Sequence, residues 1–223
     1  MTTNVARPAS ADQPLAIDGP AGRIEAALDC PEDDVPAQAV LAIVCHPLPT
    51  EGGSMHNKVV TMTARALREC GVTTLRFNFR GVGASEGTFD DGDGELADLR
   101  AVAAWARAQH PDKALWLAGF SFGAWIALRG AVELGVAALV SIAPPVGRSW
   151  DFDVALPDIP WLVIQGDADE IVDPAKVHAW VERLPQPPVL VRMPDASHFF
   201  HRKLMDLRGA VKNGVRGWLP AGA

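Results

Sequence analysis

Residues 113–135 read KALWLAGFSFGAWIALRGAVELG, and the fold of the chain turns on how they are read. Residues 114–120 are an almost unbroken apolar run, the mark of a strand buried on both faces. The residues that follow carry a helical period, with Gly123, Ala127, Gly130 and Ala131 making a flat face that can lie close to a sheet. Between strand and helix stands Gly119-Phe120-Ser121-Phe122-Gly123. A Gly two residues to either side of a Ser fits a turn so tight that a Cβ at either place strikes neighbouring backbone. Such a turn lifts Ser121 above the sheet, over a helix N-terminus whose unpaired N–H groups favour developing negative charge. The pattern is short enough to arise by chance, so the rest of the chain has to decide.

Outward from this stretch, strands and helices alternate. Towards the N-terminus, 39–45 reads as a buried strand and 72–79 as another. Val59, Met62, Thr63, Ala66, Leu67 and Cys70 mark a helix capped by Ser54 and stopped by Gly71, and 95–109 reads as a further helix. Towards the C-terminus come a strand at 138–143, a strand at 161–165, a helix at 174–184 behind an Asp173 cap, a strand at 189–193 and a last helix over 202–219. Ahead of all these, 15–18 and 23–28 flank Gly19-Pro20-Ala21-Gly22 as an antiparallel hairpin at a sheet edge, and 1–14 form a loose leader rich in Ala, Pro, Ser and Asp. Regular alternation requires crossover connections. The expectation is one α/β domain over 15–223, with a mostly parallel central sheet, an N-terminal antiparallel hairpin and helices on both faces.

Composition narrows the function. With 223 residues, 48% of them apolar, the chain can bury a full core. A formal charge of −7 from 20 basic and 27 acidic residues, without a basic cluster, argues against nucleic acid or an anionic membrane as partner. The first residues lack the apolar core of a signal peptide and no run is long enough to cross a bilayer, so a cytoplasmic location is expected. Cys30, Cys45 and Cys70 are odd in number and lack metal-ligand spacing, which suggests neither a disulfide framework nor a zinc site. Asp91-Gly92-Asp93-Gly94-Glu95 hints at calcium but lacks the Gly and Glu that a calcium loop needs further on, and reads as a solvated acidic turn. An edge strand able to pair leaves monomer and homodimer both open.

Ligands of such sheets bind beyond the C-terminal ends of the strands. His46-Pro47-Leu48-Pro49, Gly81-Val82-Gly83, Ser121, the Asp167 and Asp169 pair, and His198 all follow strands. A Ser, an acid and a His therefore fall on successive loops of one rim, in the chain order that one class of catalytic triad uses. The segments VCHPLPTEGGSMHNK, RFNFRGVGASEG, GFSFGAW, QGDADEIVDP and the run ending SHFF form an ordered set. From about Ala39 to Phe200 the chain resembles the small lidless α/β-hydrolases, close to the dienelactone-hydrolase-like esterases. Dienelactone hydrolases proper use a Cys nucleophile, and Ser121 stands in its place here.

The resemblance and the residues together give a set of expectations. Ser121 is the nucleophile and His198, on the loop after the last strand, is its base. The resemblance makes Asp169, three residues after Gly166, the acid that orients His198. Asp167 then caps the turn, while Glu170 is solvated. Oxyanion donors are the N–H of Phe122 and, between two prolines that have none, that of Leu48. His46 is expected at the site floor, as a structural hydrogen-bonder or a substrate contact. Phe89, Trp125 and Phe199 are chosen to line an acyl pocket, from aromatics that also include Trp150, Phe152 and Phe200. Gly81-Val82-Gly83-Ala84-Ser85-Glu86-Gly87 lacks the Gly-Lys-Ser/Thr ending of a phosphate loop and reads as a site wall. Pro144, Pro145, Pro157 and Pro160 disfavour a helical cap after the 138–143 strand. The implied activity is cleavage of a small-molecule carboxylic ester through an acyl-enzyme, with no cofactor and no metal. A thioesterase, lactonase or peptidase on the same residues remains open, as does a non-catalytic binding protein that keeps the fold.

Overall fold

The computed structural model describes residues 13–32 and 34–220. Eight strands form one sheet in the order β1-β2-β4-β3-β5-β6-β7-β8. The hairpin of β1 (Gln13–Gly19) and β2 (Gly22–Asp29) closes on the Gly19–Gly22 pair, and β2 runs antiparallel to β4 (Thr73–Phe77). From β4 onward all neighbours are parallel: β3 (Val40–Cys45), β5 (Ala114–Phe120), β6 (Ala138–Ile142), β7 (Trp161–Gly166) and β8 (Val189–Met193). Strands β3, β4, β6 and β7 are buried along their whole length, as apolar runs covered on both faces must be.

The side-chain alternation of β5 shows how the layers divide. Leu115 and Leu117 join the core under α2 (Asp93–Gln109), α3 (Phe122–Ala131) and α4 (Pro174–Glu182), while Trp116, Ala118 and Phe120 join the core under α1 (Lys58–Arg68) and α5 (Leu204–Val215). Residues 143–160, between β6 and β7, contain neither helix nor strand, so no cap is built over the sheet at that point. No described helix is long and apolar enough to cross a membrane.

Several expectations need correction. Gln13 and Pro14 belong to β1 rather than to a leader, because both pair with β2; residues 1–12 lie outside those described. Helix α1 is capped by Asn57, whose side chain accepts from the Val59 N–H at 2.9 Å, and not by Ser54, which a further turn separates from the helix. The acidic turn before α2 is not solvated throughout: Glu95 is fully buried and its carboxylate folds back onto the N–H groups of Gly92 (2.7 Å) and Asp90 (3.1 Å). That contact starts the helix two residues earlier than expected, at Asp93. The last helix starts late, at Leu204, because Phe200 (φ 52°) and Arg202 (φ 60°) hold a left-handed backbone that no helix accepts.

Candidate active site

The site is built on the C-terminal ends of β3, β5, β7 and β8. Ser121 takes φ 52° and ψ −121°, a backbone that non-glycine residues rarely hold. Its N–H is bonded to Ile142 O of the neighbouring strand at 2.8 Å, which fixes the turn on the sheet. Glycine is required on both sides. A Cβ on Gly119 would overlap the backbone of Gly123, and one on Gly123 would overlap the carbonyls of Cys45 and His46 at the end of β3. The first helical N–H after the turn is that of Phe122, which has no partner within α3 to bond to.

The loops after β7 and β8 are stitched together before they reach the serine. Asp167 N–H donates to Met193 O (2.9 Å) and Ala168 N–H to Ala196 O (3.1 Å), while a Cβ on Gly166 would overlap the Ala196 carbonyl. This close approach sets Asp169 against His198: Oδ2 of the carboxylate lies 2.8 Å from Nδ1 of the imidazole. An ionised carboxylate only accepts, so Nδ1 carries the proton and Nε2 presents a lone pair. Nε2 lies 3.1 Å from Ser121 Oγ, and the hydroxyl donates to it. All three side chains are largely buried, with Asp169 at 8% and His198 at 2% exposure.

Asp169 is held by more than the histidine. Its Oδ1 accepts from the N–H groups of Ile171 (2.9 Å) and Val172 (2.7 Å), and Gln165 Nε2 donates to Oδ2 at 3.0 Å. Burial by itself raises the carboxyl's pKa. The bonds from His198, Val172 and Ile171, with the attraction of the imidazole, outweigh it and hold the group below the ordinary carboxylate range. Glu170 is exposed, as expected, and its carboxylate also accepts the backbone N–H of His198 at 3.1 Å. Asp167 bonds to Arg192 (3.1 Å) and lies 3.6 Å from His178, and its side chain points to this ion pair and not to the histidine after β8.

Ser121 and His198 open onto a groove of about 110 Å³, walled by Pro47, Leu48, Pro145, Trp150, Ile171, Val172 and Phe199. Of the four side chains expected to meet substrate, only Phe199 lines it. His46 is fully buried and both ring nitrogens are engaged, Nδ1 donating to Pro47 O (2.6 Å) and Nε2 accepting from Phe79 N–H (3.0 Å). Burial, partly countered by the Pro47 carbonyl, brings its pKa down to about 4, so it is neutral where enzymes work. Trp125 is buried behind the wall, its indole N–H bonded to Asp151 O at 2.7 Å, and Phe89 packs on Phe122. Trp150, edge-on to Phe122 and tilted against Trp125, forms the wall expected of Phe89 and Trp125. The Gly81–Gly87 loop forms no wall either: Glu86, Ser85 and Ala84 bond to Arg23 and Glu25, tying it to β2. Two charged side chains of the groove, Glu51 and Arg148, were not foreseen: Glu51 lies in the segment VCHPLPTEGGSMHNK but at a position to which no role was given, and Arg148 sits in no motif or periodic element.

The family described as alpha/beta hydrolase fold matches residues 43–157. The chain belongs to the α/β-hydrolase family. A crystal structure of an α/β serine hydrolase without a lid, from Xanthomonas campestris, is 66% identical, covers 97% of this chain and 98% of its own, and has a TM-score of 0.92. An α/β serine hydrolase homologue from Coxiella burnetii is 43% identical over 91% of this chain and 97% of its own, with a TM-score of 0.87. An uncharacterized protein of Rickettsia prowazekii is 36% identical over 209 residues, 89% of this chain and 87% of its own. In this α/β-hydrolase the segment 143–160 has neither helix nor strand and lines the groove with Pro145, Arg148 and Trp150.

Proposed function

We propose that the chain is a serine hydrolase that cleaves small carboxylic esters through an acyl-enzyme, in the manner of the dienelactone-hydrolase-like serine esterases. The observation that carries this reading is the run Ser121 Oγ, His198 Nε2 (3.1 Å), His198 Nδ1, Asp169 Oδ2 (2.8 Å) at the bottom of an open groove. The names of the Xanthomonas and Coxiella relatives support it.

A serine hydroxyl is a weak nucleophile until a base takes its proton as it attacks. Nε2 of His198 is in reach of that proton, and Asp169 stabilises the imidazolium that results without taking the proton itself. Ser121 Oγ bonds to the ester carbonyl carbon, and the oxyanion formed accepts from the N–H groups of Phe122 and Leu48. Collapse expels the alkoxide, which takes the proton from Nε2 and leaves as alcohol. Water then repeats the sequence on the acyl-serine, giving up its proton to Nε2 and releasing the acid. Every proton and electron pair in this cycle is supplied by substrate, water or these side chains.

A fluorophosphonate probe and a nitrophenyl acetate assay test the reading together. Wild type should be labelled and turn over, and Ser121→Ala should do neither while keeping its thermal transition. Turnover by Ser121→Ala at the wild-type rate would remove the serine from the mechanism.

A further inference from the structure

The end of β7 carries a polar side chain that the reaction above does not use. Gln165 is fully buried in the sheet, at a place where its neighbours Leu162, Val163 and Ile164 are apolar. Its Nε2 donates to Asp169 Oδ2 at 3.0 Å and to Gly166 O at 3.1 Å, while its Oε1 meets no hydrogen-bond partner among the described residues. The amide orientation is fixed by chemistry, since both atoms that Nε2 meets are acceptors and the reverse orientation sets oxygen against oxygen. A buried amide with one unpartnered oxygen is a cost to the fold. Its donor serves two acceptors, the Gly166 carbonyl and the carboxylate of Asp169, and only the second is charged.

We infer that Gln165 is a positioning residue for the base: it fills the last acceptor site of the Asp169 carboxylate and so fixes the plane and the basicity that His198 meets. This rests on the proposed role of Asp169 and His198. An ionised carboxylate offers about four acceptor sites. Here Oδ1 is filled by the Ile171 and Val172 N–H groups, and Oδ2 by His198 Nδ1–H and Gln165 Nε2–H. With all four filled, the carboxylate cannot rotate, and Nδ1 keeps the proton that leaves Nε2 free for Ser121. The amide also draws charge from the oxygen that faces the imidazole, so the pair stays an imidazole beside a carboxylate until the serine proton arrives. Of the other charged groups, Glu170 is bonded to the backbone N–H of His198 and not to its ring, and Glu51 and Arg148 line the groove onto which the ring opens.

Gln165→Met keeps the volume and removes the donor. Turnover of nitrophenyl acetate should fall about tenfold, on the scale of a hydrogen bond to a charged group, with KM unchanged. The acid limb of kcat/KM should move to higher pH, because a carboxylate with one donor fewer holds the imidazolium more strongly. Tm should stay level or rise, because the unpartnered amide oxygen is gone. A purely structural glutamine gives the opposite pattern, a lower Tm with unchanged kcat and pH limb, and that result overturns the inference, as does unchanged turnover. Gln165→Glu supplies a second reading should the first variant not fold. Burial and the neighbouring carboxylate raise the introduced carboxyl's pKa, so below it the O–H donates to Asp169 and activity is kept, while above it activity falls as pH rises. A flat profile counts against the role. NMR titration of His198 in the Gln165 variants reads the same change without turnover, and Ser121→Ala run in parallel tests the hydrolase reading on its own.

Discussion

Two histidines are buried at the C-terminal edge of the sheet, His46 after β3 and His198 after β8, and each engages both ring nitrogens. The difference lies in the partner of Nδ1. His46 donates to a neutral carbonyl, that of Pro47, and accepts a backbone N–H, so neither of its bonded partners can balance an imidazolium. His198 donates to the Asp169 carboxylate and presents Nε2 to a hydroxyl that has a proton to give. On the proposed mechanism, the same side chain at the same depth is a strut in one loop and a base in the other. Burial keeps the first neutral, and the proposal gives the second its use through the carboxylate at its Nδ1.

The largest break in this contrast is Asp169→Asn, which gives His198 a neutral neighbour like that of His46. The amide can present its N–H to Nδ1 and turn the ring's proton to Nε2, the wrong tautomer for a base. Turnover should fall about 10⁴-fold in steady-state ester assays. Asp167→Asn, two residues away, loses only an exposed pairing with Arg192 and the approach of His178, and should keep kcat within about threefold. The reverse ranking would mean that the wrong aspartate has been assigned.

Next in size is the loop that His46 holds. With His46 bonded to Pro47, the following residue, Leu48, is set into the groove wall beside Ser121. Leu48→Pro removes the N–H and should cost about 100-fold in kcat, while Leu48→Ala keeps it and should lose little. Equal mild effects would take the oxyanion donor away from this loop.

A smaller effect appears in stability. His46 has a folded pKa of about 4 against an ordinary 6.5. Between these values the unfolded chain takes a proton that the folded chain refuses, so stability falls as pH drops through that window, by up to about 3 kcal/mol. Asp169, whose pKa is lowered, acts in another window. Its contribution is full above the ordinary carboxylate range and is lost as pH falls through its lowered value. Urea unfolding at pH 7 and pH 4.5 should therefore show an acid loss that His46→Gln diminishes and Asp169→Asn leaves mostly in place. Parallel losses in all three proteins would show that the acid sensitivity arises elsewhere.

Much of this arrangement was legible because it rests on local rules. The glycines flanking Ser121 are dictated by a turn with no room for Cβ, and the structure shows the overlaps that enforce it. The strand Val189–Met193 and the Asp173 cap are where period and capping chemistry put them. Contacts between loops distant in the chain were not legible. Glu170 and Gln165 meet the histidine and its acid only because β7 and β8 abut, and no spacing in the sequence reports that. Trp150 became a wall, and Trp125 its backing, through the path of 143–160, a stretch without any period. Asn57 was preferred over Ser54 as a cap by one intervening turn.

The smallest effect concerns the groove between the two histidine loops, with Leu48 on one side and Phe199 on the other. Its space of about 110 Å³ is less than the ~150 Å³ of a cavity that takes up benzene. Trp150 is part of its wall, and no cap extends the apolar walls above it, since 143–160 forms neither helix nor strand. An acyl chain of two to four carbons should fill that space. Each further methylene stays in water and forgoes about 0.8 kcal/mol, so it gains none of the roughly fourfold preference that burial gives per carbon. Across nitrophenyl esters from acetate to dodecanoate, kcat/KM should peak between acetate and butyrate, with no jump above the solubility limit. Trp150→Ala opens the wall towards Phe122 and Trp125 and should move the peak by one or two carbons. A peak at long chains in the wild type would mean that another segment closes over the groove and buries the chain; an unmoved peak in the variant would place the limiting wall elsewhere, at Phe199 or Leu48.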